Sequence, residues 1–310
     1  MDEDDLVHWL VQRLPAHPRV SVGAGDDAAI VRLTPEHELV ATSDMLMDRV
    51  DFVVDRDPPQ RIGRKALAVN LSDLAAMAAR PVGALVSVAL PRRGGERLAQ
   101  MLYEGLLPLA AELDCPIVGG DTNSWDGPLV ISVTALGELP MGRRWLRSGA
   151  RPGDAIVVTG EFGGSILGRQ FDFLPRVREA LWLAEHARVH AAIDVSDGLS
   201  LDLARLARHS GCGAVLELER VPVSQAAQEL AAQEGSSASP LAHALADGED
   251  FELILAVPPD EAQTLVRQQP LAVPLTRIGY FVQTPGLFRH VPGGDPIPLA
   301  VQGYQHRFSS

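Results

Sequence analysis

The chain has 310 residues, 46% of them hydrophobic and 22% charged, with a formal net charge of −13 and a pI near 5.1. That length is about twice a typical domain, so two domains are expected, each able to bury its own core. The acid excess excludes nucleic acid and an anionic membrane surface as main partners, because both need a basic footprint.

The opening MDEDDLVHWL is acidic where a secretory signal is basic, and no apolar run approaches the ~18 residues of a membrane span, so a cytoplasmic protein is expected. Leu6, Trp9, Leu10 and Leu14 recur at helical spacing and predict a short helix over 4–14. After a Gly-rich turn, 28–33 and 38–42 read as strands, with Pro35 in their connection. Pro58 and Pro59 suit a helix start, and 61–79 carries a helical pattern broken around Asn70, so NLSD is expected at a kink or at a second helix start. A strand at 82–90, a long helix at 96–113, a short strand at 116–118 delivering GGDT, and a strand at 129–139 complete an alternating first half.

Residues 141–153 turn basic and rich in Gly and Pro, which marks a linker and divides the chain into domains 1–145 and 146–310. In the second half, a strand at 154–159 leads into the Gly-rich GEFGGS. Helices follow at 175–187, at 199–209 after DVSDG, at 225–233 and at 260–268. Strands are expected at 214–218, 251–257 and near 277–282, with a loop at GSSASP (235–240). The fold class is α+β, with a layered α/β second domain.

The two cysteines, Cys115 and Cys212, have no CxxC spacing and read as small buried hydrophobes, outside any zinc or disulfide pattern. His186 and His190 are four apart, but Arg188 lies between them and no zincin glutamate does, so they read as a solvated helix end.

Chemistry concentrates elsewhere. Carboxylates stand beside glycines and hydroxyls at GDDAA (25–29), TSD (42–44), NLSD (70–73), GGDT (119–122) and DVSDG (194–198). Any one such Asp is most simply a turn or cap residue. Five together, several at strand ends or helix starts, would repel one another without a cation, and hard oxygen ligands suit Mg²⁺ shared with phosphates. The sequence has no P-loop GxxxxGK[ST] and no HRD or DFG element, which excludes the two commonest phosphoryl-transfer frameworks. GEFGGS alone serves tight helix entry as well as phosphate contact.

The motifs in their order, GDDAA, TSDML, KALAVNLSDLAAMAA, IVGGDT, MGR with RSGARPGD, AIDVSDGL and DGEDFEL, resemble the thiamine-monophosphate kinase family from about Gly23 to Phe308. GGDT and VSDG are shared with aminoimidazole ribonucleotide synthetase and its relatives, whereas NLSDLAAM followed by GEDFEL is far more specific. The resemblance implies a two-domain subunit whose N-terminal sheets pair into a barrel across a homodimer. It also implies ATP as co-substrate, several Mg²⁺ ions, and thiamine monophosphate as acceptor.

By motif match, Asp27, Thr42, Ser43, Asp44, Asp73, Asp121, Asp194 and Asp197 would serve the metals. ATP would meet Tyr103, Gly120, Asp121, Arg147 and Ser196. The acceptor would meet Glu249 and Tyr304; packing serves Tyr103 and Tyr304 equally well. The family reads GVHF where this chain has Arg49-Val50-Asp51-Phe52, so Asp51 replaces a substrate-facing His and would pair with the cationic or aminopyrimidine part of the acceptor. The implied reaction is Mg²⁺-assisted, in-line transfer of the ATP γ-phosphoryl group to give thiamine diphosphate. A related ATP-dependent enzyme with another acceptor, or a nucleotide-binding regulator, stays open at this point.

Overall fold

The computed structural model describes residues 3–24, 28–233 and 238–305. The chain gathers into two compact units, Met1–Leu74 with Ala79–Arg144, and Ala75–Ala78 with Trp145–Ser310. Among the described residues no helix is long and apolar enough to cross a membrane.

The first unit begins with α1 (Glu3–Val11), a small β1 (Val20–Val22) and β2 (Ile30–Val31) pair, and β3 (His37–Met47). Then come α2 (Pro59–Ala76), β4 (Arg80–Pro91), α3 (Gly95–Glu112), β5 (Ile117–Trp125) and β6 (Val130–Pro140). Four strands form a sheet in the order β3-β6-β4-β5, antiparallel except for the β4/β5 pair, which α3 connects as a crossover. Val86, Val88 and Leu90 of β4 and Ile131, Val133 and Ala135 of β6 are buried, as are Ile62, Leu67, Leu71 and Leu74 of α2. The two helices come close enough to need glycine: a Cβ at Gly63 would lie 2.0 Å from Leu102 O, and one at Gly105 1.7 Å from Gln60 O.

The sheet's other face is largely uncovered among the described residues, save at Glu138, which Arg19 and Thr34 hold. Strand alternation puts Leu39, Met45 and Met47 on one side of β3, and the register carries that side across to Trp125 of β5. These four are 55%, 61%, 37% and 43% exposed. Neither large sheet closes into a barrel among the described residues.

The second unit contains β7 (Ala155–Thr159), α4 (Arg169–Asp172), α5 (Val177–His186), β8 (Ala191–Asp194), α6 (Leu199–His209) and β9 (Gly213–Leu216). It continues with α7 (Gln225–Gln233), α8 (Pro240–Ala246), β10 (Leu253–Val257), α9 (Pro259–Gln268), β11 (Leu275–Val282), β12 (Gly286–Arg289) and β13 (Ile297–Pro298). The seven-stranded sheet runs β13-β12-β9-β11-β7-β10-β8, with only β12/β9 parallel. Its central strands AIVVT and LILAV are buried at every position, the pattern of strands covered on both faces. Ile156, Val158, Ile193 and Ile254 share one core with Leu199, Leu203 and Leu206 of α6. Cys212 is buried in that core and Cys115 in the first unit, and burial pushes the Cys115 thiol up to about 12 and raises Cys212 as well.

Several sequence expectations change. The helix expected to break at Asn70 is continuous, because buried Asn70 donates from Nδ2 to Ala66 O at 3.1 Å within its own helix. Asp44 does not end a strand: β3 runs on to Met47, paired throughout with β6. GGDT lies inside β5, which continues along β4 to Trp125 instead of stopping at residue 118. Sequence reading missed β1, β8, α4, α8, β12 and β13.

Candidate functional site

In the first unit the site is built on β3 and α2. Alternation turns Thr42 and Asp44 toward the helix-covered face and Ser43 toward the bare one. Thr42 Oγ1 donates to Asp73 Oδ2 of α2 at 2.5 Å, and Asp44 N–H donates to Asn70 Oδ1 at 3.1 Å, one helical turn earlier. Burial first, then the Asp73 carboxylate and then that of Asp51, push Asp44 up to about 6. Such mutual repulsion is relieved by a bound cation, and the donors Thr42, Asp44 and Asp73 are all oxygens, as Mg²⁺ requires. Among the described residues no group of three or more His, Cys, Asp or Glu is placed to hold a metal by itself. Water and substrate phosphates would complete the shell of such an ion, the usual arrangement for Mg²⁺. Asp27 lies outside the described residues.

Other expected residues are dispersed. Ser43 Oγ meets Thr134 Oγ1 at 2.9 Å on the bare face. Asp121 shares that face but sits on β5, the opposite edge of the sheet, about three strand spacings or ~14 Å from β3. The subunit therefore does not bring Asp121 to Asp44 and Asp73. Gly120 precedes it with its backbone tight against β4, where a Cβ would lie 1.9 Å from Val86 O. Tyr103 is 4% exposed on the inner side of α3, and burial raises its pKa. That placement packs the ring inside the unit.

Asp51 closes its own turn. Its Oδ2 accepts from Met47 N–H at 2.7 Å, while its carbonyl oxygen accepts from the fully buried Lys65 Nζ at 2.8 Å. Val54 N–H to Asp48 Oδ1 and Val53 N–H to Asp57 Oδ2, at 3.0 and 2.8 Å, hold the rest of this loop.

In the second unit the expected residues meet at one edge of the large sheet, where β7 and β8 end and β10 begins. Asp194 is the buried last residue of β8. Beyond it the 195–198 loop is tied down twice: Phe251 N–H donates to Val195 O at 2.8 Å, and Glu249 N–H to Ser196 O at 2.7 Å. Tyr304 N–H donates to Asp197 O at 2.9 Å, so the exposed Tyr304 ring starts from a backbone fixed to the same loop. Ser196, Asp197, Glu249 and Tyr304 are thus brought together. Arg147 is exposed in the preceding linker, with its carbonyl accepting from Ser210 Oγ at 3.2 Å.

Sequence reading missed the residues that hold this loop. Asp202 Oδ2 accepts from Asp197 N–H at 2.9 Å, and Arg205 donates both to Asp202 Oδ1, at 2.7 Å, and to the Asp197 carboxylate. Burial pushes Asp202 up to about 6. The spacing of Asp202 and Arg205, three apart at a helix start, was a usable signal. Glu252 lies in DGEDFEL, but its partners were not readable: it is fully buried, accepts from Thr159 Oγ1 at 2.6 Å and from Arg176 Nε at 2.7 Å, and is also paired with Arg169.

The Gly163 and Gly164 N–H groups of GEFGGS are not free for phosphate. Gly163 N–H donates to Asp250 Oδ1 at 2.9 Å and Gly164 N–H to Asp247 Oδ2 at 2.8 Å, so the protein's own carboxylates occupy both groups.

Comparison with known proteins fits this geometry. The family profiles described as AIR synthase related protein, N-terminal domain and C-terminal domain, match residues 25–139 and 151–291. The thiamine-monophosphate kinase of Rhodopirellula baltica is 45% identical over 313 residues, covering 98% of this chain and 97% of its own. The crystal structure of the enzyme of that name from Stenotrophomonas maltophilia K279a superposes with a TM-score of 0.78 at 33% identity, covering 92% of this chain and 94% of that one. The structure of AaThiL complexed with AMPPCP and TMP gives 0.77 at 26% identity, with 99% of both chains covered. The profile matches to both halves of the chain and the 45% identity over its length therefore place it among the AIR synthase related proteins, where it belongs to the thiamine-monophosphate kinase family.

Proposed function

We propose that this chain transfers the γ-phosphoryl group of ATP to the phosphate of thiamine monophosphate, forming thiamine diphosphate and ADP. The observation that carries the reading is the Asp44–Asp73 pair: two carboxylates facing each other beside Thr42, one of them held protonation-prone by burial and repulsion. Its support from relatives is the family membership and the AaThiL complex with AMPPCP and TMP.

The attacking atom is a phosphate oxygen that is anionic at neutral pH, so no side-chain base is needed. The barrier lies in bringing two polyanions together. Mg²⁺ would supply charge neutralisation and in-line alignment. Thr42, Asp44 and Asp73 would hold it from one subunit, with Asp27 and the backbone of Ser43 as further ligands. Asp194 and Asp197 would serve metals from the second unit, where Asp197 would exchange its Arg205 partner for the ion. Gly120, Asp121, Arg147 and Ser196 would meet ATP; Asp51, Glu249 and Tyr304 would meet the acceptor.

The bare apolar face of the first sheet supports a homodimer in which two such sheets pair into a barrel, since Leu39, Met45, Met47 and Trp125 form an apolar surface of the kind that marks interfaces. A dimer would also let a second copy bring its Asp121 edge to the Asp44 edge, which one subunit keeps apart. Action in the cytoplasm accords with ATP as the donor.

The test is product analysis with ATP, Mg²⁺ and thiamine monophosphate. Thiamine diphosphate formed in equal amount with ADP supports the reading. ADP release without thiamine diphosphate points to another acceptor, and no acceptor-stimulated ADP release to a binding protein.

A further inference from the structure

Three of the four residues from Gly248 to Phe251 adopt left-handed backbone, with φ of 74° at Gly248, 54° at Glu249 and 51° at Phe251. Glycine takes this region freely, but Glu and Phe do so at a cost, and such strain persists only where the surroundings enforce it. Here the turn is gripped from two sides. On one side Glu249 N–H and Phe251 N–H donate to Ser196 O and Val195 O, at 2.7 and 2.8 Å.

On the other side are Gly163 and Gly164, themselves left-handed at φ 89° and 73°. A Cβ at either would come within 2.6 Å of Ala244 N or 2.4 Å of Ala226 C, so the segment can pass only as glycine. Its successive N–H groups receive the Asp250 and Asp247 carboxylates, Ser165 Oγ donates to Gly248 O at 2.7 Å, and Ser224 Oγ donates to Gly163 O at 2.5 Å. Successive N–H groups in such a turn form an anion-binding nest. Asp250 is 1% exposed, and its Oδ2 has no hydrogen-bond partner among the described residues. Burying a carboxylate this way is costly for packing alone.

We propose that Asp250 and Asp247 are positioning residues: their carboxyl oxygens accept from the two N–H groups of the Gly163–Gly164 nest in place of a ligand and thereby fix the left-handed turn that presents Glu249 to the acceptor. This rests on the reading of Glu249 as an acceptor contact. The Gly-rich segment then acts on the acceptor side, through the turn, and not as a phosphate cradle.

Steady-state kinetics on the full chain test this with Glu249→Ala, Asp250→Ala, Asp250→Asn, Asp247→Ala and the Glu249→Ala/Asp250→Ala double variant. Asp250→Ala is expected to raise KM for thiamine monophosphate about tenfold, the effect of losing one buried hydrogen-bond acceptor, with KM for ATP within about twofold of wild type. Asp250→Asn keeps an acceptor for Gly163 N–H and should restore KM. The double variant should be no worse than Glu249→Ala alone, because groups acting through one another are not additive.

Full additivity, or a wild-type KM in Asp250→Ala while Glu249→Ala is impaired, overturns the brace and leaves the Glu249 reading standing. A wild-type KM in Glu249→Ala overturns the Glu249 reading, and the brace with it. If Asp250→Ala does not fold, Asp247→Ala, at a side chain 20% exposed, carries the same expectation through Gly164, with the same outcomes.

Discussion

Thr42 and Asp73 stand 31 residues apart in the chain and are joined at 2.5 Å, strand hydroxyl to helix carboxylate. The bond fixes one oxygen of Asp73 and leaves its negative charge facing Asp44, with Asn70 holding the Asp44 backbone from the same helix. The aspartates are therefore arranged before any ion arrives, and their repulsion is built into the fold.

Asp44→Asn and Asp73→Asn should each lower Mg²⁺-dependent turnover at least about 100-fold, as loss of a charge-stabilising group does. Melting temperature should hold or rise, because each change removes one of two repelling charges. EDTA should abolish turnover and Mg²⁺ restore it. Wild-type rates in either variant, or chelator-resistant activity, would remove the metal assignment from this pair.

Light scattering of the wild type should give twice the 33.2 kDa subunit mass. Met45→Asp places a charge in the bare apolar face and should shift the protein to monomer while far-UV dichroism stays unchanged. A variant that remains dimeric would locate the interface elsewhere.

Burial pushes Asp250 up to about 8, with Arg169 opposing and Glu252 and Asp247 adding to the rise. The unfolded chain releases this proton near pH 4 and the folded chain near pH 8. The stability linked to this group is fully present below pH 4 and is lost as pH rises through 8. Asp250→Asn has no proton to lose, so its melting temperature relative to wild type should climb between pH 5 and 8.5. A difference that is constant with pH would show that Asp250 does not titrate in this range.

Asp51→Asn retains an acceptor for Met47 N–H and should melt like wild type, whereas Asp51→His loses that turn bond. The latter should melt a few degrees lower, the effect of losing a cap worth ~1 kcal/mol. If the Asp51 charge meets the acceptor's cationic ring, Asp51→Asn also raises KM for thiamine monophosphate severalfold. An unchanged KM would make Asp51 a turn residue only.

Much of this was legible in the chain. The strand expected over 82–90 is β4, and the helix over 225–233 is α7 to the residue, because each carries one uninterrupted periodicity. Asn70 misled for a physical reason: a polar residue in an apolar run reads as a break, yet its amide is used up inside the helix and toward Asp44. The kinds of site residue were readable, but their grouping was not. That Thr42 and Ser43 face opposite sides follows only once β3 is known to run through them. Asp250 and Asp247 stood out in DGEDFEL, but their partners could not be read, since Gly163 and Gly164 lie 87 and 83 residues away.

The burial of both cysteines has a practical consequence for observing the molecule. With Cys115 and Cys212 enclosed and both thiols raised, little thiolate exists at neutral pH to meet maleimide or iodoacetamide reagents. The native chain is thus a nearly silent background for site-directed fluorophores and spin labels. A single cysteine placed at exposed Trp125 would take the label alone, and its spectrum would report directly on what covers that face.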